Sequence, residues 1–175
     1  MPVTLGVRNR SVHKRLVRRD RLARLAGRIC TGEGLCGVVE ISLLVCDDEA
    51  IADLNSKYRH RHEPTDVLSF EQNGALTNGP RLLGDIVISL ETAARNCGGD
   101  RERMRREVDM LFCHGLLHLL GYDHDTKRRH DEMKSKQAAY LQQPESDAWN
   151  FGVKERTGLR DRSAAHPGGG SRVGR

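Results

Sequence analysis

The chain has few aromatic residues and contains no long hydrophobic run. Aromatic residues make up only 4% of its 175 residues, whereas charged residues make up 30%, so we expect an aliphatic core beneath a highly charged surface. A helix that crosses a membrane needs about 20 consecutive apolar residues, and no segment approaches that length. No signal-peptide core is recognisable either. The composition therefore favours a protein that does not associate with a membrane.

The cysteines lack the arrangement of a disulfide framework. There are five of them, an odd number, and none forms a C-x-x-C pair. This usage is typical of reduced thiols rather than of a secreted disulfide-rich domain. We therefore expect a cytoplasmic protein. The five residues are Cys30, Cys36, Cys46, Cys97 and Cys113.

The charge balance is basic. The formal net charge is +5 and the isoelectric point is about 9.1, which favours an acidic partner, with nucleic acid as the first candidate. A solvated surface of mixed charge is the alternative that this bias leaves open.

The order of apolar patterns predicts an α+β domain with a mixed β-sheet of about four strands. Strands are predicted at residues 3–8, 38–46, 65–70 and 84–89. Helices are predicted at residues 12–30, 49–58, in a short stretch before Gly98, at 102–120 and at 126–142, with an exposed loop or hairpin connection at 71–81.

One compact domain is expected, because a chain of 175 residues can bury a sizeable core. We assign residues 1–143 to this domain. Residues 144–175 have no periodic apolar face and turn to Gly, Ser, Pro and scattered charge, which predicts a flexible C-terminal tail. Trp149 and Phe151 are the tail residues that can dock locally.

Three histidines lie within the run H-G-L-L-H-L-L-G-Y-D-H. His114 and His118 are four residues apart and would share one face of a helix. Gly121 can end that helix in a left-handed conformation, so that His124 returns toward the same place. Three imidazoles in this arrangement suit tetrahedral zinc with an open fourth position. The alternative, a pair of core histidines without metal, leaves buried polar groups to be satisfied in an almost wholly apolar helix.

The spacing H-x-x-x-H-x-x-G-x-x-H matches the zinc-binding run of the metzincin proteases except at one position. Those enzymes have a catalytic Glu directly after the first His, whereas this chain has Gly115. A metal-dependent peptidase is therefore an alternative function, but this chain lacks the glutamate that serves as the general base in those enzymes. A glycine inside a helix costs about 1 kcal/mol relative to alanine, and we expect another element to approach the helix closely there.

The densest cationic loop in the middle of the chain is Y-R-H-R-H, residues 58–62. Arg59 lies at a predicted helix end, and its planar guanidinium can bind a phosphate oxygen in a bidentate manner. A solvated arginine that interacts favourably with the helix dipole is an equally simple explanation from the residues alone.

Four runs occur in a fixed order along the chain: L-N-S-K-Y-R, P-T-D-V-L-S-F, G-D-I-V-I-S and H-G-L-L-H-L-L-G-Y-D-H. Together they closely resemble the motifs of the YbeY family of endoribonucleases, the rRNA maturation factors, over roughly residues 3–142. The resemblance implies a zincin-like single domain whose long helix bears the histidines. It also implies one zinc ion on His114, His118 and His124 and cleavage of single-stranded RNA.

The same resemblance implies a role in small-subunit rRNA maturation and in ribosome quality control. Ribosomal RNA, the small ribosomal subunit and its assembly factors are the implied partners, and DNA is not expected. The functional arginine of the family falls on Arg59. Arg59 and the metal ligand His114 are therefore the predicted catalytic residues.

Four further polar residues belong to these runs. Thr65 can cap or turn the chain at Pro64, and Asp123 can hold a ligand imidazole in the correct tautomer. Asp66 and Asp85 can orient a histidine or lie near the metal, although a structural hydrogen-bonding role at strand entries is the favoured interpretation for both.

Two features depart from the family pattern. Phe70 is followed by Glu71 where the family usually has proline, and the segment beyond about residue 144 has no recognisable counterpart. Beside the peptidase, one more alternative stays open, in which the chain is a ribosome-assembly factor whose zinc is mainly structural.

Overall fold

The computed structural model describes residues 2–13, 15–75 and 79–149, which form four strands and six helices. The strands are β1 (Val3–Asn9), β2 (Val39–Cys46), β3 (Val67–Ala75) and β4 (Arg81–Ser89). The helices are α1 (Arg19–Gly32), α2 (Asp48–Arg59), α3 (Leu90–Asn96), α4 (Arg101–Leu119), α5 (Lys127–Leu141) and α6 (Glu145–Ala148). The predicted α+β fold with four strands and a long histidine-bearing helix is confirmed.

The sheet is mixed, with the strand order β1-β2-β4-β3. Strands β1, β2 and β4 are parallel, and β3 runs antiparallel to β4 at the edge. The two central strands are mostly apolar in sequence, as expected of strands that are covered on both faces.

Helices cover both faces of this sheet. On one face, α1 and α4 pack against a large cluster that includes Leu43 and Ile86. On the other face, Ile51 of α2 packs against Leu68 and Val87. Helix α4 lies deepest, because every residue from position 107 to position 117 is buried. The histidines on α4 are therefore carried by the most enclosed element of the described structure.

The predicted helix at residues 12–30 begins too early, since α1 starts only at Arg19. Local hydrogen bonds hold the preceding residues in turns: the backbone N–H of Ser11 donates to Asn9 Oδ1 (3.0 Å), and that of His13 donates to Ser11 Oγ (3.2 Å). Such side-chain bonds compete with helix formation. Val12, the first residue of the predicted helix, is 85% exposed.

The predicted loop at residues 71–81 is also shorter than expected. Strand β3 continues to Ala75 and β4 already begins at Arg81, where these two residues pair with each other. Pairing with the central strand β4 extends β3 through a polar segment, and the register shifts between Glu71 and Gly74. The two strands therefore form a long antiparallel pair, as the hairpin alternative predicted.

The predicted domain boundary at residue 143/144 falls just before α6. In this short helix Ala148 is fully buried, whereas residues 150–175, including Phe151, lie outside the described residues. The proposed tail therefore stays a prediction there. Among the described residues, no helix has both the length and the apolar character that a membrane crossing requires.

Candidate metal centre

The end of α4 and the turn after it bring the three histidines together. Gly121 has φ +90°, its N–H donates to the His118 carbonyl (2.9 Å), and the Tyr122 N–H donates to the Leu117 carbonyl (3.0 Å). This pair of bonds is a Schellman motif, which ends a helix and reverses the chain. The prediction that Gly121 lets His124 return toward the helix is confirmed by this geometry.

The three imidazoles form a compact cluster. The ring centroids lie 4.5 Å apart for His114 and His118, 5.4 Å for His114 and His124, and 5.2 Å for His118 and His124. One ligand nitrogen from each ring lies within 4.8 Å of the other two. His114 is only 2% exposed, and the other two rings are partly buried. The site is therefore enclosed at His114 and opens toward His118 and His124.

The Nδ1 atoms of the two helix histidines have defined partners. His118 Nδ1 lies 2.9 Å from the backbone carbonyl of Tyr122, which can only accept, so this nitrogen carries the proton. His114 Nδ1 lies 3.2 Å from Gln137 Oε1. The amide nitrogen of Gln137 donates to the Ala148 carbonyl, which leaves the amide oxygen to accept from His114. Both rings thus have Nδ1–H and an unprotonated Nε2.

This tautomer assignment has a direct consequence inside the cluster. The Nε2 atoms of His114 and His118 face each other at 3.0 Å, and both present a lone pair. Two lone pairs at this distance repel unless a positive centre lies near them. Imidazole nitrogens are preferred zinc ligands, and three of them leave one position of a tetrahedral ion to be filled. The residues present therefore fit a zinc ion.

Burial keeps these rings in the form that binds metals. It lowers the pKa of His114 well below its ordinary value, helped by His118 and His124, and together with the nearby His124 it lowers the pKa of His118 to about 4. Burial also lowers the pKa of His124. Neutral imidazole is the metal-binding form, so the cluster is ready to bind at neutral pH.

Asp123 lies beside the cluster and contacts the backbone of the turn that carries His124. Its Oδ1 accepts a hydrogen bond from the backbone N–H of His124 (2.8 Å) rather than from an imidazole. Its negative charge still raises the pKa of both His118 and His124, against the larger effect of burial. Asp123 therefore stabilises the turn and adds negative potential at the site.

Arg59 is the last residue of α2 and precedes His60, which adopts the left-handed conformation (φ 56°). Partial desolvation lowers the pKa of its guanidinium, Arg61 lowers it further, and Asp123 opposes both. The charge of Arg59 in turn lowers the pKa of His118. This effect on His118 puts the guanidinium within electrostatic reach of the histidine cluster.

The other predicted polar residues are held by different contacts. Asp66 is buried, and its Oδ1 accepts from the Val67 N–H (2.8 Å) and from Thr65 Oγ1 (3.3 Å) at the start of β3. Asp85 accepts from Gln72 Nε2 (2.6 Å) on the neighbouring strand. These bonds agree with the structural interpretation favoured for both aspartates. The metal-binding group includes neither Asp66 nor Asp85.

Gly115 marks the closest approach of α4 to the sheet. A Cβ atom there would lie 2.9 Å from Ile86 Cγ2 and 3.0 Å from Ser69 Oγ. The predicted close approach of another element is thus confirmed. A glutamate at this position, which the peptidase alternative requires as its base, has no room without a shift of the helix.

Sequence reasoning missed Gln137 as a partner of the site and did not connect Trp149 to it. The indole of Trp149 lies 5.3 Å from the ring of His114, 5.7 Å from that of His124 and 4.8 Å from that of His130, measured between centroids. Gln137 is fully buried on α5. No spacing rule points to either contact, because both residues reach the histidines through tertiary packing. For Gln137, the sequence offers one signal, which is a glutamine on the apolar face of a predicted helix.

Comparison with known proteins identifies the family of this chain. The family model described as Endoribonuclease YbeY matches residues 8–145. The chain belongs to the YbeY endoribonuclease family. A YbeY relative from Moorella thermoacetica is 44% identical over 128 residues, which cover 69% of this chain and 82% of the relative. One from Thermobifida fusca is 43% identical over 128 residues, which cover 70% and 83%. Both relatives are named Endoribonuclease YbeY.

A solved structure supports the fold of this YbeY family member. The solution structure of a Thermotoga maritima protein matches with a TM-score of 0.53 at 22% identity, covering 93% of this chain and 100% of the other. At this level of identity the likeness concerns the fold alone.

Proposed function

We propose that this chain is a zinc-dependent endoribonuclease that cleaves single-stranded RNA and acts in small-subunit rRNA maturation and ribosome quality control. Membership of the YbeY family supports the reaction class. The basic net charge of +5 supports an RNA substrate.

One observation carries the metal part of this proposal. The Nε2 atoms of His114 and His118 face each other at 3.0 Å, while each Nδ1 is already engaged with a hydrogen-bond acceptor. The two facing lone pairs repel each other, and a positive centre near them removes this repulsion. When bound there by the three histidines, zinc supplies Lewis acidity beside the scissile phosphate.

The chain's own residues have separate tasks in this proposal. Arg59 binds a non-bridging phosphate oxygen with its guanidinium and offsets the charge that develops during cleavage. Two arginines of α1 are already paired, Arg21 with Asp109 (2.6 Å) and Arg24 with Asp20 (3.2 Å). We therefore assign substrate binding first to the cationic loop that follows α2.

The test is cleavage of an end-labelled single-stranded RNA by purified protein, beside a duplex of the same sequence. We expect chelation to abolish cleavage, Zn²⁺ to restore it, and His114→Ala to remove nearly all of it. Arg59→Ala should lower the rate about 10²–10³-fold, as loss of one charge-stabilising donor does. Arg101→Ala, which removes an exposed arginine at the opposite end of α4 from the histidines, is the matched control and should lose far less. Cleavage that survives both chelation and His114→Ala would overturn the proposal.

Trp149 offers an independent test of metal binding. It is the single tryptophan of the chain, and its ring lies 5.3 Å from that of His114. Co²⁺, an open-shell ion that quenches nearby indole emission, should therefore quench its fluorescence with saturable dependence on concentration. Addition of Zn²⁺ should displace Co²⁺ and restore the fluorescence. The His114→Ala variant should show no such quenching. Identical quenching of the wild type and the variant would argue against binding by this cluster.

The rRNA part of the proposal is tested in a bacterial host that lacks its own YbeY. The wild-type chain should restore maturation of the small-subunit rRNA, and His114→Ala should not. If His114→Ala restored maturation and still co-sedimented with small ribosomal subunits, the chain would be an assembly factor with a structural zinc.

A further inference from the structure

A charged network lies behind the metal centre, around Glu33. This residue follows α1 directly and caps its C-terminus. Its Oε2 accepts a hydrogen bond from the Tyr122 hydroxyl (2.6 Å), and its Oε1 accepts from Lys136 Nζ (2.7 Å) and the Tyr140 hydroxyl (2.5 Å). The carboxylate thus joins α1, α5 and the turn that carries the third histidine.

The position of this carboxylate is unfavourable by local rules. A helix C-terminus carries partial negative charge and disfavours an anion, and the Glu33 side chain is only 11% exposed. Burial raises its pKa, but the bonds from Lys136, Tyr122 and Tyr140 outweigh burial and lower it overall. Glu33 is therefore an anion at neutral pH that depends on its three donors. Residues that break a local rule in this way commonly serve the function of a protein.

Tyr122 connects this network to the metal centre. Its hydroxyl donates to Glu33, whereas its backbone carbonyl accepts the Nδ1–H of His118 (2.9 Å). Lys136 also lies 5.0 Å from the centre of the Tyr122 ring, so the ring is held from two sides. Tyr122 stands between the left-handed Gly121 and the segment that leads to His124. A fixed ring at this place limits the movement of the whole turn.

We propose that Glu33 is a positioning residue for the metal centre, which acts through the Tyr122 hydroxyl to hold the Tyr122 carbonyl against His118 and the turn that bears His124. The inference rests on the metal-binding part of the proposed function. Partners that orient a metal-ligating histidine fix its tautomer and its ring direction, and their loss typically weakens metal binding about 10–100-fold.

The competing explanation is that Glu33 only joins α1 to α5. Two tyrosines on the same carboxylate separate these explanations. Tyr122→Phe and Tyr140→Phe each delete one hydroxyl bond to Glu33, but only Tyr122 contacts a ligand histidine. A purely structural link predicts the same effect from both changes, whereas a positioning role predicts an effect on metal binding from Tyr122→Phe alone.

The experiment is a Zn²⁺ titration of the metal-free protein in competition with a chelator. We expect Tyr122→Phe and Glu33→Gln to bind Zn²⁺ about 10–100-fold more weakly than the wild type, and Tyr140→Phe to bind it like the wild type. Thermal unfolding of each metal-free variant shows whether it folds. Glu33→Gln removes a charge that three donors share, so this variant is the one most prone to unfold. If it unfolds, the comparison of Tyr122→Phe with Tyr140→Phe still decides the question.

Nitrogen-15 NMR of the metal-free protein gives a second measurement that needs no metal. The wild type and Tyr140→Phe should have His118 protonated on Nδ1, and Tyr122→Phe should have a mixture of tautomers. Equal zinc affinity of both tyrosine variants, with an unchanged His118 tautomer, would overturn the inference while leaving the nuclease proposal intact. A wild-type protein that binds no Zn²⁺ would overturn both.

Discussion

The orientation of a metal-binding imidazole depends on the hydrogen-bond partner of its second ring nitrogen. The two helix histidines differ in this respect, since His118 contacts a backbone carbonyl and His114 contacts a side-chain amide. A side chain can be replaced without altering the backbone. Gln137 is therefore the point where the orientation of a single ligand can be changed while the turn that follows α4 stays as it is.

Replacement of Gln137 by leucine and by glutamate should separate its two contacts. Leucine removes the acceptor for His114 and the donor for the Ala148 carbonyl, so zinc affinity should fall about 10–100-fold. It should also cost about 1–3 kcal/mol of stability, because a buried carbonyl loses its donor. Glutamate keeps the acceptor and removes the donor, and should bind zinc more tightly than the leucine variant does.

Zinc titration and urea unfolding of the metal-free proteins measure these two effects. The prediction is contradicted if the leucine variant binds zinc as the wild type does. Equal zinc affinity of the two variants would show that the hydrogen bond to His114 has no influence.

At the level of single residues, local spacing predicts the metal cluster and little around it. His114, His118 and His124 lie within one helix end and one turn, so their geometry follows from helix periodicity and from one glycine. Gln137 lies 23 residues from His114, and Glu33 lies 89 residues from Tyr122. Contacts over such distances depend on how helices pack, which no local pattern contains.

At the level of elements, the contact between α4 and the sheet positions the site. The helix approaches β3 and β4 at Gly115, between the two ligand histidines. Any change in this distance moves both imidazoles together. The absence of a side chain at this position is therefore a property of the site as well as of the core.

Gly115→Ala should weaken the protein and its metal site together. The added Cβ would lie 2.9 Å from Ile86 and 3.0 Å from Ser69, and overpacking of this kind costs about 1–3 kcal/mol. Gly27→Ala is the matched control, because Gly27 lies within α1 and a Cβ there meets nothing within 4 Å. The control should be stabilised by up to about 1 kcal/mol, the difference between glycine and alanine in a helix.

Urea unfolding and zinc titration of both alanine variants test this contrast. If Gly115→Ala were as stable as the control, the approach of α4 to Ile86 and Ser69 would not limit the side chain at this position. If Gly115→Ala were destabilised but bound zinc with unchanged affinity, the position of α4 against the sheet would not determine the geometry of the metal site.

The element predictions failed where side chains or strand pairing override local pattern. Buried Leu16 continues the apolar spacing of α1 backwards, yet hydrogen bonds of Asn9 and Ser11 hold that segment in turns. The polar residues after Phe70 indicate a loop, yet pairing with β4 makes them a strand. Both errors have the same cause, since local propensity is weaker than tertiary contacts.

For the molecule as a whole, α4 brings two kinds of buried ionisable group into one core. The histidines lie at its C-terminal end, and Glu107, which is 9% exposed, lies about two turns earlier. Burial and the nearby Asp66 raise the pKa of Glu107 to about 7, although the hydrogen bond from Asn96 opposes them. These groups affect the pH dependence of stability in opposite directions.

The directions follow from which state binds more protons. The buried histidines have lowered pKa values, so the unfolded chain binds more protons than the folded one as the pH falls, and stability decreases toward acid. Glu107 has a raised pKa, so the folded protein keeps a proton that the unfolded chain releases between about pH 4.5 and pH 7. Its contribution to stability is present at low pH and is lost as the pH rises through 7.

Glu107→Gln should therefore stabilise the metal-free protein at pH 8 and much less at pH 5. The neutral amide keeps an oxygen for Asn96 and removes the cost of a buried charge, which a pKa of about 7 in place of 4.5 puts at up to about 3 kcal/mol. Urea unfolding at the two pH values measures this, and the histidine contribution cancels because both proteins share it. Glu132→Gln, which removes an exposed carboxylate from α5, should show the same small difference at both values. A Glu107→Gln protein less stable than the wild type at pH 8 would mean that the ionised carboxylate stabilises the core.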